Sequence, residues 1–179
     1  MIYEPAEDSF LLASVVKKFS KDKYVLDMGS GSGVIALAAK ENGARDVLAA
    51  DINEEAVKHI QDKGVNAIQS NLFEKIKGKF DVIAFNPPYL PRDENEDKES
   101  SLITSAGKEG DEIILRFLKK APKYLNPNGK IFLLISSLTP KARINILMNK
   151  LSLSSEIIAS EKIFFEELYV LRIEKHSKA

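Results

Sequence analysis

Apolar positions along the chain alternate between two periods. Within Glu7–Phe19, residues Leu12, Val15, Val16 and Phe19 form a stripe at helical spacing. A short strand, Tyr24–Asp27, then enters the run GSGSG, and Val34–Lys40 returns to a helix. Asp46–Ala50 reads as a second strand ending at Asp51. Asn53 suits the N-cap of the next helix, with Glu54 and Glu55 in its first turn and Gly64 just past its end. Val65–Gln69 and Phe80–Phe85 are further strands, near-continuously apolar as parallel strands covered on both faces are.

Past a polar stretch, Asp111–Tyr124 places Ile114, Phe117, Leu118 and Ala121 on one helical face. The turn NPNG leads to a strand at Ile131–Ile135, and Thr139 with Pro140 make a cap and first-turn pair for a helix running to about Lys150. Leu153–Ile158 and Phe164–Ile173 are separated only by ASEKI, too short for a helical crossover. These last two strands are therefore expected to be antiparallel neighbours. Strand–helix alternation closing on a hairpin predicts an α/β fold: a doubly wound, Rossmann-like sheet, mostly parallel with one antiparallel strand.

Composition narrows the class. A length of 179 residues suits one domain spanning 1–179. Lys+Arg and Asp+Glu both number 26, so the net charge is zero, which argues against a protein whose main business is gripping phosphate backbones. Zero cysteines exclude disulfides and any cysteine-based zinc site within the chain. The opening MIYEPAEDSF is acidic, unlike a signal peptide, and no apolar run approaches the ~18 residues of a membrane span. A cytoplasmic location is expected. Between Pro91 and Gly110 lies the one long stretch without a predicted element, and its carboxylates at 93–99 read as solvated surface. Neither His59, in a charged helix, nor His176, in a lysine-bearing tail, is placed as a base.

Two stretches carry chemistry. In VLDMGSGSGVIALAA a strand, a glycine-rich turn and a helix N-terminus follow one another, and Gly29, Gly31 and Gly33 permit left-handed backbone and close approach of a ligand. The spacing is G-x-G-x-G, not the G-x-G-x-x-G that receives a pyrophosphate. Asp27 beside the loop would repel pyrophosphate but suits an ammonium, and S-adenosylmethionine carries an ammonium and no phosphate. Asp51, 24 positions on, can accept hydrogen bonds from both hydroxyls of a ribose, or simply cap the next helix. In SNLF, Asn71 can meet an adenine amino group and Leu72 can flank the ring; a turn asparagine is an equal reading.

The second stretch is FNPPYLP, directly after the strand Phe80–Phe85. X-Pro could merely end a strand. Beside the glycine loop and Asp51 it has a better use, because Pro87 and Pro88 donate no hydrogen bonds and leave carbonyls free. The Asn86 side-chain oxygen and a neighbouring carbonyl, that of Pro87, can accept both hydrogens of a planar –NH2, with Tyr89 against its flat face. The device suits methyl transfer to a conjugated nitrogen.

At this point DMGSGSG, Asp51 and NPPY resemble the class I S-adenosylmethionine-dependent methyltransferases acting on amide or amino nitrogen. YEPAEDSFLL at 3–12 is similar to the opening of the short HemK-type enzymes of archaea and eukaryotes. That resemblance implies methylation of the glutamine in the GGQ motif of class I release factors. It implies a cofactor site of Ser9, Asp27, Gly29, Gly31, Gly33, Asp51, Asn71, Leu72 and Asn86, and a target site of Asn86, Pro87, Pro88 and Tyr89, with Asn86, Pro87 and Tyr89 catalytic. It further implies a small, often zinc-binding, activator subunit. The strand VNAIQ, expected at a sheet edge without proline or lysine, could accept a strand from such a partner or be covered by the chain's own N-terminal segment. Two departures stand out: Asn71 replaces the usual aspartate, and TSAGKEG is poorer in glycine than the family's loop. An adenine-N6 methyltransferase is the competing reading, disfavoured because a neutral chain of this length has no room for a target-recognition domain. A non-catalytic cofactor-binding scaffold and a dehydrogenase fit the two motifs less well.

Overall fold

A computed structural model describes residues 5–88 and 110–176. Seven strands form one sheet: β1 (Tyr24–Met28), β2 (Asp46–Asp51), β3 (Asn66–Gln69), β4 (Phe80–Phe85), β5 (Leu125–Ser136), β6 (Leu153–Ile163) and β7 (Glu166–Lys175). Their order is β3-β2-β1-β4-β5-β7-β6. β1 to β5 pair in parallel, and β7 runs antiparallel to both β5 and β6, as the short C-terminal connection requires.

Because side chains alternate across a strand, each strand feeds two cores. Val25, Val82, Ala84 and Phe132 pack beneath α1 (Glu7–Phe19), α2 (Val34–Glu41) and α3 (Glu54–Asp62). Leu26, Met28, Ile83, Phe85 and Leu133 face α4 (Glu112–Lys120) and α5 (Ala142–Lys150). On that second face Phe85 lies 4.5 Å from Phe117, and Phe73 stacks on Tyr124 at 4.6 Å. None of the described helices is long and apolar enough to cross a membrane.

Four details differ from the pattern reading. NPNG lies inside β5 rather than before it. Pairing with β4 jumps from Phe80–Leu125 to Val82–Lys130, Asn128 takes φ 62°, and Asn126 Nδ2 donates to Asp81 Oδ1 at 2.9 Å, so the turn is absorbed as a bulge. The helix expected over Asp111–Tyr124 changes at Ala121 into a 3-10 turn, with Pro122 in its first turn. Thr139 and Pro140 do not start α5, whose N-cap is Lys141; the Thr139 hydroxyl instead accepts from the Ser136 N–H at 3.0 Å. ASEKI is strand, paired from Ala159–Val170 to Ile163–Glu166, and the turn falls on Phe164 and Phe165, which are 94% and 87% exposed.

Candidate active site

The strand order switches between β1 and β4: from β1 the chain winds outward to β2 on one side, and from β4 to β5 on the other, leaving a crevice at their carboxyl ends. Ligands of doubly wound sheets bind there. After β1, Gly29, Gly31 and Gly33 all take left-handed φ, at 64°, 50° and 80°. Glycine is required on two counts: a Cβ on Gly33 would lie 2.8 Å from Ile60 Cγ1, and one on Gly29 would lie 3.3 Å from the Phe85 ring. Gly33 then caps α2.

Both carboxylates picked out by spacing stand at this loop. The Asp51 carboxylate accepts from the Gly31 N–H through Oδ2 and from the Asn53 N–H through Oδ1, both at 2.8 Å. It is half-buried, and each oxygen keeps a further lone pair for a hydroxyl. Asn53 also caps α3, its side chain accepting from the Glu55 N–H at 2.9 Å, as expected. Asp27 is fully buried; its Oδ2 accepts from the Ala36 N–H at 3.0 Å, while Oδ1 has no partner. Burial pushes the Asp27 carboxyl up to about 8, opposed by the Ala36 hydrogen bond and helped by the charge of Asp51. A carboxyl with an orphaned oxygen beside a loop that excludes side chains could pair with a cationic ligand, which would favour its ionised form.

After β3, Leu72 adopts φ 49°, unusual for a branched side chain. Its carbonyl accepts from the Ser70 hydroxyl at 2.8 Å. Asn71 Nδ2 donates to Glu74 Oε1 at 3.2 Å, and its oxygen accepts from Arg116 at 3.1 Å. Arg116, on α4, thus reaches the position offered to a base, and one lone pair of the Asn71 oxygen is already in use.

At the end of β4, Asn86 is half-buried, Pro87 is buried and Pro88 half-buried. Asn86 Nδ2 donates to Asp8 Oδ2 at 3.2 Å and to Ser9 Oγ at 3.3 Å; Asn86 Oδ1 is buried without a partner. Ser9 therefore stands against Asn86, joining the first turn of α1 to the end of β4. Tyr89, the acidic stretch 93–99 and most of TSAGKEG lie outside the described residues. Asp8 escaped the motif reading, although a signal was present: Asp8 lies four and seven positions before Leu12 and Val15, a carboxylate on a buried stripe. Arg116 carried no such mark.

Residues 7–165 match the family model described as "Methyltransferase small domain". The chain belongs to that methyltransferase family. A Methanocaldococcus jannaschii protein provisionally named protein N5-glutamine methyltransferase is 41% identical over 95% of this chain and 90% of its own length. The mouse methyltransferase HEMK2 is 30% identical over 97% of this chain and 90% of its own. Among solved structures, the E. cuniculi Mtq2–Trm112 complex, described as responsible for methylation of the eRF1 translation termination factor, superposes with TM-score 0.79 at 27% identity, over 98% of this chain and 99% of that one.

Proposed function

We propose that this methyltransferase moves a methyl group from S-adenosylmethionine to the side-chain amide nitrogen of a glutamine, the one in the GGQ motif of a class I translation release factor. The observation that carries the reading is the buried, unpartnered Asn86 Oδ1 at the end of β4. A neutral acceptor held there, next to prolines that donate nothing, suits a nitrogen with hydrogens to give. The names of the relatives and of the Mtq2 complex support a glutamine in a termination factor as the target.

An amide nitrogen is a poor nucleophile because its lone pair is delocalised into the carbonyl. Asn86 Oδ1 and the Pro87 carbonyl, accepting its two hydrogens, would raise electron density on nitrogen and fix its direction; the role proposed for Tyr89 is to cover its face. Asp27 would hold the cofactor's ammonium, Asp51 its ribose hydroxyls, and Asn71 with Leu72 its adenine, over Gly29, Gly31 and Gly33, with Ser9 at the border with Asn86. When bound, S-adenosylmethionine supplies a methyl already activated by its sulfonium. What the chain contributes is alignment, an effect worth roughly 7–11 kcal/mol in favourable cases. The nitrogen's surplus proton passes to solvent.

A small, zinc-binding activator subunit completes the proposal. β3 ends the sheet on one side, and its Asn66–Gln69 carries neither proline nor lysine to blunt pairing. Residues 7–19 do not serve that edge: α1 packs on α2 and on the β4–β7 half of the sheet. The Mtq2 neighbour, described in complex with Trm112, supports a second chain.

Incubation with methyl-labelled cofactor and either release factor or DNA tests the substrate; label is expected on the release factor alone. Asn86→Ala should abolish most transfer while leaving cofactor affinity within a few-fold. Turnover near wild type in that variant would remove the basis of the reading. For the activator, light scattering with an assay on the purified chain is decisive: a monomer fully active without an added subunit would refute it.

A further inference from the structure

We infer that Asp8 is a positioning residue for methyl transfer, dictating which end of the Asn86 amide faces the target. The inference rests on the proposed role of Asn86 and extends it to a residue 78 positions away. An asparagine amide is nearly symmetric in shape, so sterics alone do not choose between presenting oxygen or NH2 to a ligand. Here the choice is made by chemistry. Asp8 is buried in the first turn of α1, and its carboxylate can only accept. Asp8 Oδ1 receives the Ser9 N–H at 2.6 Å and the Ser9 hydroxyl at 3.2 Å.

The Ser9 proton is thereby committed to Asp8, and Ser9 Oγ can only accept from Asn86. Both contacts of Asn86 on the α1 side, Asp8 Oδ2 at 3.2 Å and Ser9 Oγ at 3.3 Å, thus demand donors. Nδ2 supplies them and exhausts both its hydrogens. Oδ1 is forced to the opposite side, where it stays buried and unpartnered. The flipped amide would set Oδ1 against the Asp8 carboxylate and point N–H groups at a target nitrogen that needs an acceptor. Helix α1 is thus a clamp whose polar first turn selects a single state of the acceptor before substrate arrives.

The test uses four variants of the full chain: Asn86→Ala, Asp8→Ala, Asn86→Asp, and Asn86→Asp combined with Asp8→Asn. Cofactor affinity is measured by calorimetry, kcat and KM on release factor, and the Asn86 side-chain NH2 signals by 15N NMR on cofactor-free protein. Asp8→Ala should lower kcat about tenfold or more, on the scale of a hydrogen bond to a charged group, with cofactor affinity within twofold. Its Asn86 NH2 signals should shift and exchange faster with water. Asn86→Asp alone sets two carboxylates together and should be nearly inactive. Adding Asp8→Asn restores a donor on one side and an acceptor on the other, so kcat should recover at least several-fold; a merely structural Asp8 predicts no recovery. Wild-type kcat and unchanged NH2 signals in Asp8→Ala, with Asn86→Ala inactive, would overturn the inference alone. An active Asn86→Ala would instead overturn the role of Asn86 itself.

Discussion

Asp27 illustrates how a residue can be stable in one protonation state and useful in another. With its carboxyl raised to about 8 in the folded, ligand-free chain and 3.8 ordinarily, the folded state holds a proton that the unfolded state has lost. Stability therefore falls as pH rises from 3.8 towards about 8 and levels off above it. Urea titrations across that range should show the slope, and Asp27→Asn should flatten it. Cofactor affinity is expected to run the opposite way: an ammonium favours the ionised carboxylate, so binding tightens with pH up to about 8. Calorimetry showing a pH-independent affinity would contradict the Asp27–ammonium pairing. Asp51 acts through geometry instead. If Asp51 holds the ribose as proposed, Asp51→Ala should lower cofactor affinity by about 1–3 kcal/mol by calorimetry, and it also frees the Gly31 N–H that its carboxylate holds.

At the scale of elements, Gly33 joins the loop to α2 at a φ of 80° with Ile60 beneath it. Gly33→Ala should cost at least about 1–2 kcal/mol in urea unfolding, since left-handed backbone is strained for any residue with a Cβ and Ile60 must move as well. How legible each element was depended on where its interactions lay. The bounds of Phe80–Phe85 coincide with its apolar run, because a strand covered on both faces is marked by nearly every position, Asp81 excepted. Asn53 was readable as a cap because its partner lies two residues away. The β6–β7 turn was hidden, since a phenylalanine pair reads as strand by propensity and only the pairing of Ile163 with Glu166 shows that the chain reverses there. NPNG departs from its local signal for the opposite reason: turn chemistry is local, but the bulge that retains it in β5 depends on Asp81, 45 residues from Asn126. The same holds in the site. Loop and motif residues could be named from sequence, whereas the hold of Asp8 on Asn86 and of Arg116 on Asn71 exists only in the folded chain.

For the whole molecule, a net charge of zero sets an expectation for substrate capture. Affinity for a phosphate backbone collapses between about 50 and about 200 mM salt, whereas KM for a protein target should drift only slightly over that interval. A steep rise in KM with salt would favour a nucleic-acid substrate. The sheet also sets where the most exposed of the described aromatic side chains stand. Past the last β5–β7 pair, Ser136–Leu168, two more β6–β7 pairs carry the hairpin on, so Phe164 and Phe165 stand roughly 10 Å beyond β5 at the strand rise of about 3.4 Å per residue. Since their side chains stabilise nothing beneath them, replacing both by serine should leave unfolding free energy within about 0.5 kcal/mol. Solubility is where they tell. Two such tips meeting would hide about 600–1,000 Å² of phenyl surface, short of the ~1,200 Å² of a lasting dimer. Any such contact would be fleeting, and sulfate, excluded from protein surfaces, would strengthen it. The wild-type chain should salt out at a lower ammonium sulfate concentration than the double-serine variant, and equal precipitation midpoints would show that the rings are idle in solution.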